Sequence, residues 1–163
     1  MSFLLALSLS TGICCAIWAW ISSIPSLHLI TWIGFAGCTA YFASGKHGLE
    51  GISAAFFSTM SGVFSAAVAL FISSKIPTPA TAIIMTGIIS CTMCLKSVAK
   101  PFWFIPGAFI GCFSTFAYLS SGANILSADI IPHLLSLSAG TILALSCDKG
   151  GNLLFSLFGK KEK

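Results

Sequence analysis

Apolar residues run along this chain in long blocks, broken by short interruptions rich in polar residues, glycine or proline. About 20 apolar helical residues cross the roughly 30 Å hydrocarbon layer of a bilayer. The block before Lys46 is twice too long for one crossing, and Ser22-Ser23-Ile24-Pro25-Ser26 is its natural break. This predicts a first span near 3–24 and a second near 28–44. The turn Gly45-Lys46-His47-Gly48-Leu49-Glu50-Gly51 introduces a third near 51–73, closed by Lys75-Ile76-Pro77-Thr78-Pro79, where the prolines end the helix. A fourth near 80–95 stops before Lys96 and Lys100. A fifth near 102–120 has Pro101 and Pro106 at its start, and a sixth near 127–147 accommodates Pro132 in its opening turn. In the remaining tail, the Leu153–Phe158 run is too short to cross and suits the interface.

Composition turns this pattern into a class. The chain is 56% hydrophobic and 7% charged, whereas soluble domains carry about a quarter charged residues. The reading is an integral all-α membrane protein. Met1-Ser2-Phe3-Leu4-Leu5 has no basic n-region and no small-residue cleavage site follows, so the first segment is expected to stay as a span. The net charge of +4 reflects topology rather than a nucleic-acid partner. With six spans, Lys46, Lys96, Lys100, Lys149, Lys160, Lys161 and Lys163 share one side and Lys75 stands alone on the other, which by the positive-inside rule places both termini in the cytoplasm.

The spans also resemble one another. Phe35-Ala36-Gly37-Cys38-Thr39-Ala40-Tyr41-Phe42-Ala43 and Phe109-Ile110-Gly111-Cys112-Phe113-Ser114-Thr115-Phe116-Ala117 share F-x-G-C-x-x-x-F-A, 74 positions apart. Thr11-Gly12-Ile13 and Thr86-Gly87-Ile88 match at an offset of 75, and Ser58, Gly62, Ala66 match Ser136, Gly140, Ala144 at 78. Collinear matches with small drift predict a duplicated three-span unit: residues 1–75 and 76–148, followed by a cytoplasmic interfacial tail at 149–163. Consecutive copies of an odd unit enter the membrane from opposite sides, giving a 3+3 inverted repeat.

Thr11-Gly12-Ile13, Trp18, the block Trp32-Ile33-Gly34-Phe35-Ala36-Gly37-Cys38-Thr39-Ala40-Tyr41-Phe42-Ala43, and Ile105-Pro106-Gly107-Ala108-Phe109-Ile110-Gly111 resemble the YcdZ-like bacterial inner-membrane proteins. Pro132 supports the likeness, which covers nearly the whole chain and weakens after Cys147. It implies a multi-span protein of the bacterial inner membrane. The family is a domain of unknown function, so it brings no catalytic residue, cofactor or substrate.

The candidate chemistry is sparse. Gly37, Cys38, Thr39 and Tyr41 on span two, with Gly111, Cys112, Ser114 and Thr115 on span five, form a candidate solute path where glycine loosens the helices and hydroxyls offer neutral contacts. The alternative is that the glycines permit tight crossing and the hydroxyls bond back to their own helices. Cys38 and Cys112 occupy matched positions, where thiols bind soft metals or pack as small apolar groups. Asp129 and His133, four apart, form a candidate outer polar pair, read as a proton relay or as residues at the water boundary. Ser58, Gly62, Ala66, Gly107, Ser136, Gly140 and Ala144 form small faces for helix packing, within one chain or in a homo-oligomer. Hydrolase, zincin, phosphate-loop and paired-carboxylate signatures are missing, so neither an enzyme nor a cofactor is expected. The resulting expectation is a channel or facilitator for a small neutral solute in the lipid bilayer, with an accessory protein docking a partner through its Gly/Ser/Ala faces as the alternative.

Overall fold

A computed structural model describes residues 1–124 and 127–159; the expected Lys160, Lys161 and Lys163 lie outside the described residues. There are six α-helices and, among the described residues, no strand: α1 Phe3–Ser22, α2 Thr31–Ala43, α3 Gly48–Lys75, α4 Pro79–Lys96, α5 Ile105–Ser120 and α6 Ile130–Phe158. Each boundary has a local cause. Ser2 caps α1 by accepting from the Leu5 N–H (3.3 Å), and Thr78 caps α4 by accepting from Thr81, with Pro79 entering as the first residue. The α2–α3 turn needs backbone with positive φ at Gly45 (65°) and Gly48 (62°), which glycine adopts without steric cost.

Four helices, α1, α3, α4 and α6, are long and apolar enough to cross a membrane. The F-x-G-C helices are shorter, at 13 residues for α2 and 16 for α5. Both lose their expected first turn because the chain enters them extended, at Ile30 (φ −114°) and Phe104 (φ −86°, ψ 84°). At the first entry the Ser136 hydroxyl accepts the Ile30 N–H (2.8 Å), so a backbone donor outside any helix is satisfied inside the protein. The largest departure from the expected spans is at the far end. α6 does not stop at Cys147 but continues unbroken to Phe158, 29 residues and about 43 Å long. Gly150 and Gly151 do not break it, because Ser10 and Leu7 of α1 pack directly on them. Phe155 meets Phe3 edge-on, and the Met1 ammonium reaches the Phe158 carbonyl.

In the bundle, α1 and α2 lie against α6, while α4 and α5 lie against α3. One core cluster joins Trp18, Cys38, Tyr41, Ala55, Phe104, Leu143 and Cys147. A second joins Ala66, Ala69, Met85, Ile89, Met93, Ala108 and Cys112, and Ile33, Val63 and Leu137 form a third. Phe104 beside Tyr41 and Ala55 brings the α4–α5 connection next to the α2–α3 turn, so Lys46, Lys96 and Lys100 gather around one end of the bundle. Large apolar side chains such as Leu4, Trp20, Phe64, Ile83 and Phe113 point outward, as expected of surface bathed in lipid.

Candidate functional site

The two F-x-G-C helices cross their neighbours with no side chain between the backbones. A methyl group on Gly37 would land on the Leu137 carbonyl, and one on Gly140 would land on that of Gly34. Across the molecule, a methyl on Gly111 would meet the Thr59 carbonyl, and one on Gly62 that of Ala108. These contacts correspond pairwise: Gly37 to Gly111 and Gly34 to Ala108 at 74, Thr59 to Leu137 and Gly62 to Gly140 at 78. The sequence offsets are therefore also the offsets of the contacts.

Inside the motifs, Gly37, Cys38, Gly111 and Cys112 face the core, and Phe35, Phe42, Phe109 and Phe116 face outward at 36–40% exposure. Thr39 is exposed and its hydroxyl donates to the Phe35 carbonyl (2.9 Å); Thr115 is buried and donates to that of Gly111 (2.7 Å). Both hydroxyls are thus satisfied within their own helices. Cys38 packs with Cys147 and Cys112 with Met85 and Ile89, so the matched cysteines lie in separate clusters. Among the described residues no three His, Cys, Asp or Glu side chains converge as metal ligands. Ser58, Gly62, Ala66, Gly107, Ser136, Gly140 and Ala144 are all buried within the bundle, so these faces are occupied by the chain's own helices. A groove of about 320 Å³ lies instead between α1 and α2, lined by Leu7, Ser8, Thr11 and Phe42.

Tyr41 leads to a network that the sequence reading missed. Its hydroxyl donates to Asp148 Oδ2 (2.7 Å) and accepts the Gly48 N–H (2.7 Å). His47 Nδ1 lies 3.1 Å from the same Oδ2, and the Asn152 amide donates to Oδ1 (3.2 Å) and to the Asp148 carbonyl (2.9 Å). Tyr41 is fully buried and Asp148 is 4% exposed. A carboxylate in such a place needs these donors, because burying an unpaired charge is costly. Asp148 followed by Lys149-Gly150-Gly151 reads as a chain leaving the membrane. The usable signal was Asn152 one helical turn beyond Asp148, on the same face.

At the opposite end, the expected outer pair is not a pair. Asp129 is exposed at the start of α6 and accepts the Asn124 N–H (3.1 Å). His133 is 1% exposed, stacked on Tyr118 with ring centroids 5.6 Å apart, and its Nε2 meets the Ser114 hydroxyl at 3.2 Å. Its Nδ1, like the Ser58 hydroxyl, is buried with no hydrogen-bond partner among the described residues. Half-buried Lys96 supplies another polar contact, donating to Ser65 Oγ (3.0 Å) with its ammonium over the Phe64 ring (5.5 Å).

The family model for a protein of unknown function, DUF1097, matches residues 8–152, which takes in α2 to α5 whole and most of α1 and α6. The chain belongs to this family. It is 39% identical over 118 residues to the inner membrane protein YcdZ of Escherichia coli K12, covering 72% of this chain and 71% of that protein. It is 37% identical to the inner membrane protein YcdZ of Salmonella typhimurium LT2 over 118 residues, or 72% of each chain. No solved structure matches. DUF1097 is thus a family of uncharacterised inner-membrane proteins, and this member has the apolar helices such a location demands.

Proposed function

We propose that this DUF1097 protein is a six-span, 3+3 inverted-repeat facilitator for a small neutral solute, with its lysine-rich end and both termini in the cytoplasm. One observation carries the reading: the glycine–carbonyl contacts of α2 on α6 recur, at the same sequence offsets, as those of α5 on α3. In inverted-repeat transport proteins the path lies near the bilayer midplane where the two repeats meet; in this reading the packing of α2 on α6 and of α5 on α3 forms that meeting place. In the conformation described, the helices are closed on each other at Gly37 and Gly111, so passage requires both crossings to part. The buried hydroxyls of Ser58, Ser114 and Thr115, with His133, supply polar contacts without a fixed counter-charge, which suits a neutral solute. No enzymatic step belongs to this reading.

Stopped-flow light scattering on proteoliposomes tests it, with glycerol, urea and short amides as osmolytes. Faster equilibration than in empty vesicles for at least one of them is expected; rates equal to empty vesicles across the panel would remove the proposal. Reporter fusions at both termini test the orientation. The accessory alternative would require docking through the lipid-facing surface, since the Gly/Ser/Ala faces are covered. A stoichiometric partner retained through purification, with no flux, would favour it. The same outer surface is where we place self-association, which mass photometry in nanodiscs measures.

A further inference from the structure

The imidazole of His133 stands next to both glycine crossings. On α6 it precedes by one turn Leu137, whose carbonyl seats Gly37. On α5 its partner Ser114 follows by one turn Gly111, which is seated on Thr59. Among the described residues, the contact of His133 Nε2 with Ser114 Oγ (3.2 Å) is the one side-chain hydrogen bond between these two helices. Folding does not require a polar pair in such a place. At the offsets of 78 and 74 that relate the two crossings, His133 and Ser114 correspond to Ala55 and Ala40. Both alanines are fully buried and pack in one apolar cluster.

Hydrogen counting assigns the ring's tautomer. A hydroxyl has a single hydrogen, and that of Ser114 goes to the Gly111 carbonyl (3.0 Å). Ser114 Oγ therefore meets His133 as an acceptor, and the ring hydrogen sits on Nε2. The carboxylate one turn away, Asp129, is exposed and holds the Asn124 N–H instead. A buried imidazolium without an anion is costly, so the ring is neutral and Nδ1 carries a bare lone pair. That lone pair meets no donor among the described residues, on a side chain 1% exposed. An acceptor buried in this way carries a desolvation cost that packing does not return.

We propose that His133 Nδ1 is the point that holds the solute, accepting one hydrogen bond from an N–H or O–H of a small neutral molecule. Ser114 is the positioning residue that keeps the ring in its accepting tautomer. The inference rests on the facilitator reading for the route of arrival: parting the crossings at Gly37 and Gly111 opens the helices on both sides of the ring. The chemistry selects the ligand class. A lone pair repels an anion, and a cation would need a counter-charge that Tyr118, Leu134 and Leu137 do not supply. An amide or an alcohol fits, and a molecule of the same shape without a donor does not.

Acetamide, N-methylacetamide and N,N-dimethylacetamide test this, because they carry two, one and no N–H donors on one acyl skeleton. Replacing both exposed histidines, His28→Gln with His47→Gln, leaves His133 as the only histidine of the full chain. Nitrogen NMR of the imidazole in nanodiscs then reads its two nitrogens directly. A hydrogen on Nε2 and a bare Nδ1 are expected, with the Nδ1 resonance moved by the two donor amides and unmoved by the dimethyl compound. A hydrogen on Nδ1, no response to acetamide, or an equal response to all three overturns the proposal. Adding Ser114→Ala should populate both tautomers, which a purely structural serine would not do. In proteoliposomes acetamide should equilibrate faster than in empty vesicles and dimethylacetamide should not. His133→Leu should cut the acetamide excess by about fivefold, the loss of one hydrogen bond; an unchanged excess overturns the assignment. If His133→Leu does not fold, the spectra of the intact His133 still decide. An Nδ1 response without flux rejects the facilitator and leaves the binding point standing, and flux without the response rejects the binding point alone.

Discussion

The crossing of α2 on α6 and that of α5 on α3 use the same backbone device with different polar fittings. At the first, Ser136 accepts the Ile30 N–H, and Tyr41 is bonded to Asp148. At the second, the matched Ser58 hydroxyl has no partner among the described residues and the matched Thr115 donates within its own helix. Trp18, whose ring fills the space over Gly34 and donates to the Thr31 carbonyl (3.0 Å), has Met93 as its counterpart beside Ala108. Glycine packing is common to both halves and is what folding requires. The polar fittings differ, and so they are where any specialised role must be sought.

The strongest way to break this comparison is to fill both joints. Gly140→Val and Gly62→Val each force a side chain into a carbonyl, and each should cost at least about 3 kcal/mol, at the upper end of overpacking effects. The expected outcome is loss of monodisperse protein in detergent for both; a well-folded variant of either would show that its crossing is not closed. Next in size is Tyr41→Phe, which removes a hydrogen bond to a carboxylate and orphans the Gly48 N–H. Thermal unfolding in detergent should register about 1.5–3 kcal/mol, against less than about 1 kcal/mol for Thr115→Val.

A smaller contrast sharpens the same point. Ser136→Ala leaves the Ile30 N–H without its acceptor and should destabilise by about 1–3 kcal/mol. Ser58→Ala removes a hydroxyl that has no partner and should be neutral or slightly stabilising. Equal effects from the two would contradict the hydrogen-bond assignments. Smallest of all, Thr39→Val changes an exposed residue bonded to its own helix and should shift stability by less than about 0.5 kcal/mol. It should also leave any solute flux unchanged, since Thr39 does not face the interior.

Much of this arrangement was legible in the chain because packing in lipid selects small residues with helical spacing. Gly37, Gly111, Gly62 and Gly140 could be picked out by register alone, and all take part in the crossings. Periodicity could not tell which hydroxyls face inward. Thr39 and Thr115 sit two motif positions apart, at the fifth and seventh, which helical spacing puts on opposite faces; which face lies inside is set by the neighbouring helices, with Thr39 outside and Thr115 inside. Asp129 and His133 share a helical face by spacing, but α5 covers only His133, through Ser114 and Tyr118. Asp148 was hidden by its company. Lys149, Gly150 and Gly151 look like a helix end, and their role as a seat for Ser10 and Leu7 depends on α1, distant in sequence. Local patterns report which face a residue occupies; they do not report what arrives to cover it.

The glycine–carbonyl joints carry a mechanical consequence. Where side chains interdigitate, helices can shift by changing rotamers, and a small displacement is absorbed locally. At Gly37, Gly62, Gly111 and Gly140 there are no rotamers to change, so the paired helices can only turn as whole rods about their point of touch or come apart. Such a joint behaves as a pivot: motion at one end of α2 or α5 is delivered undamped to the other. A disturbance at Tyr41 would then be felt at Ile30, the full length of the helix away, with nothing between them soft enough to take it up.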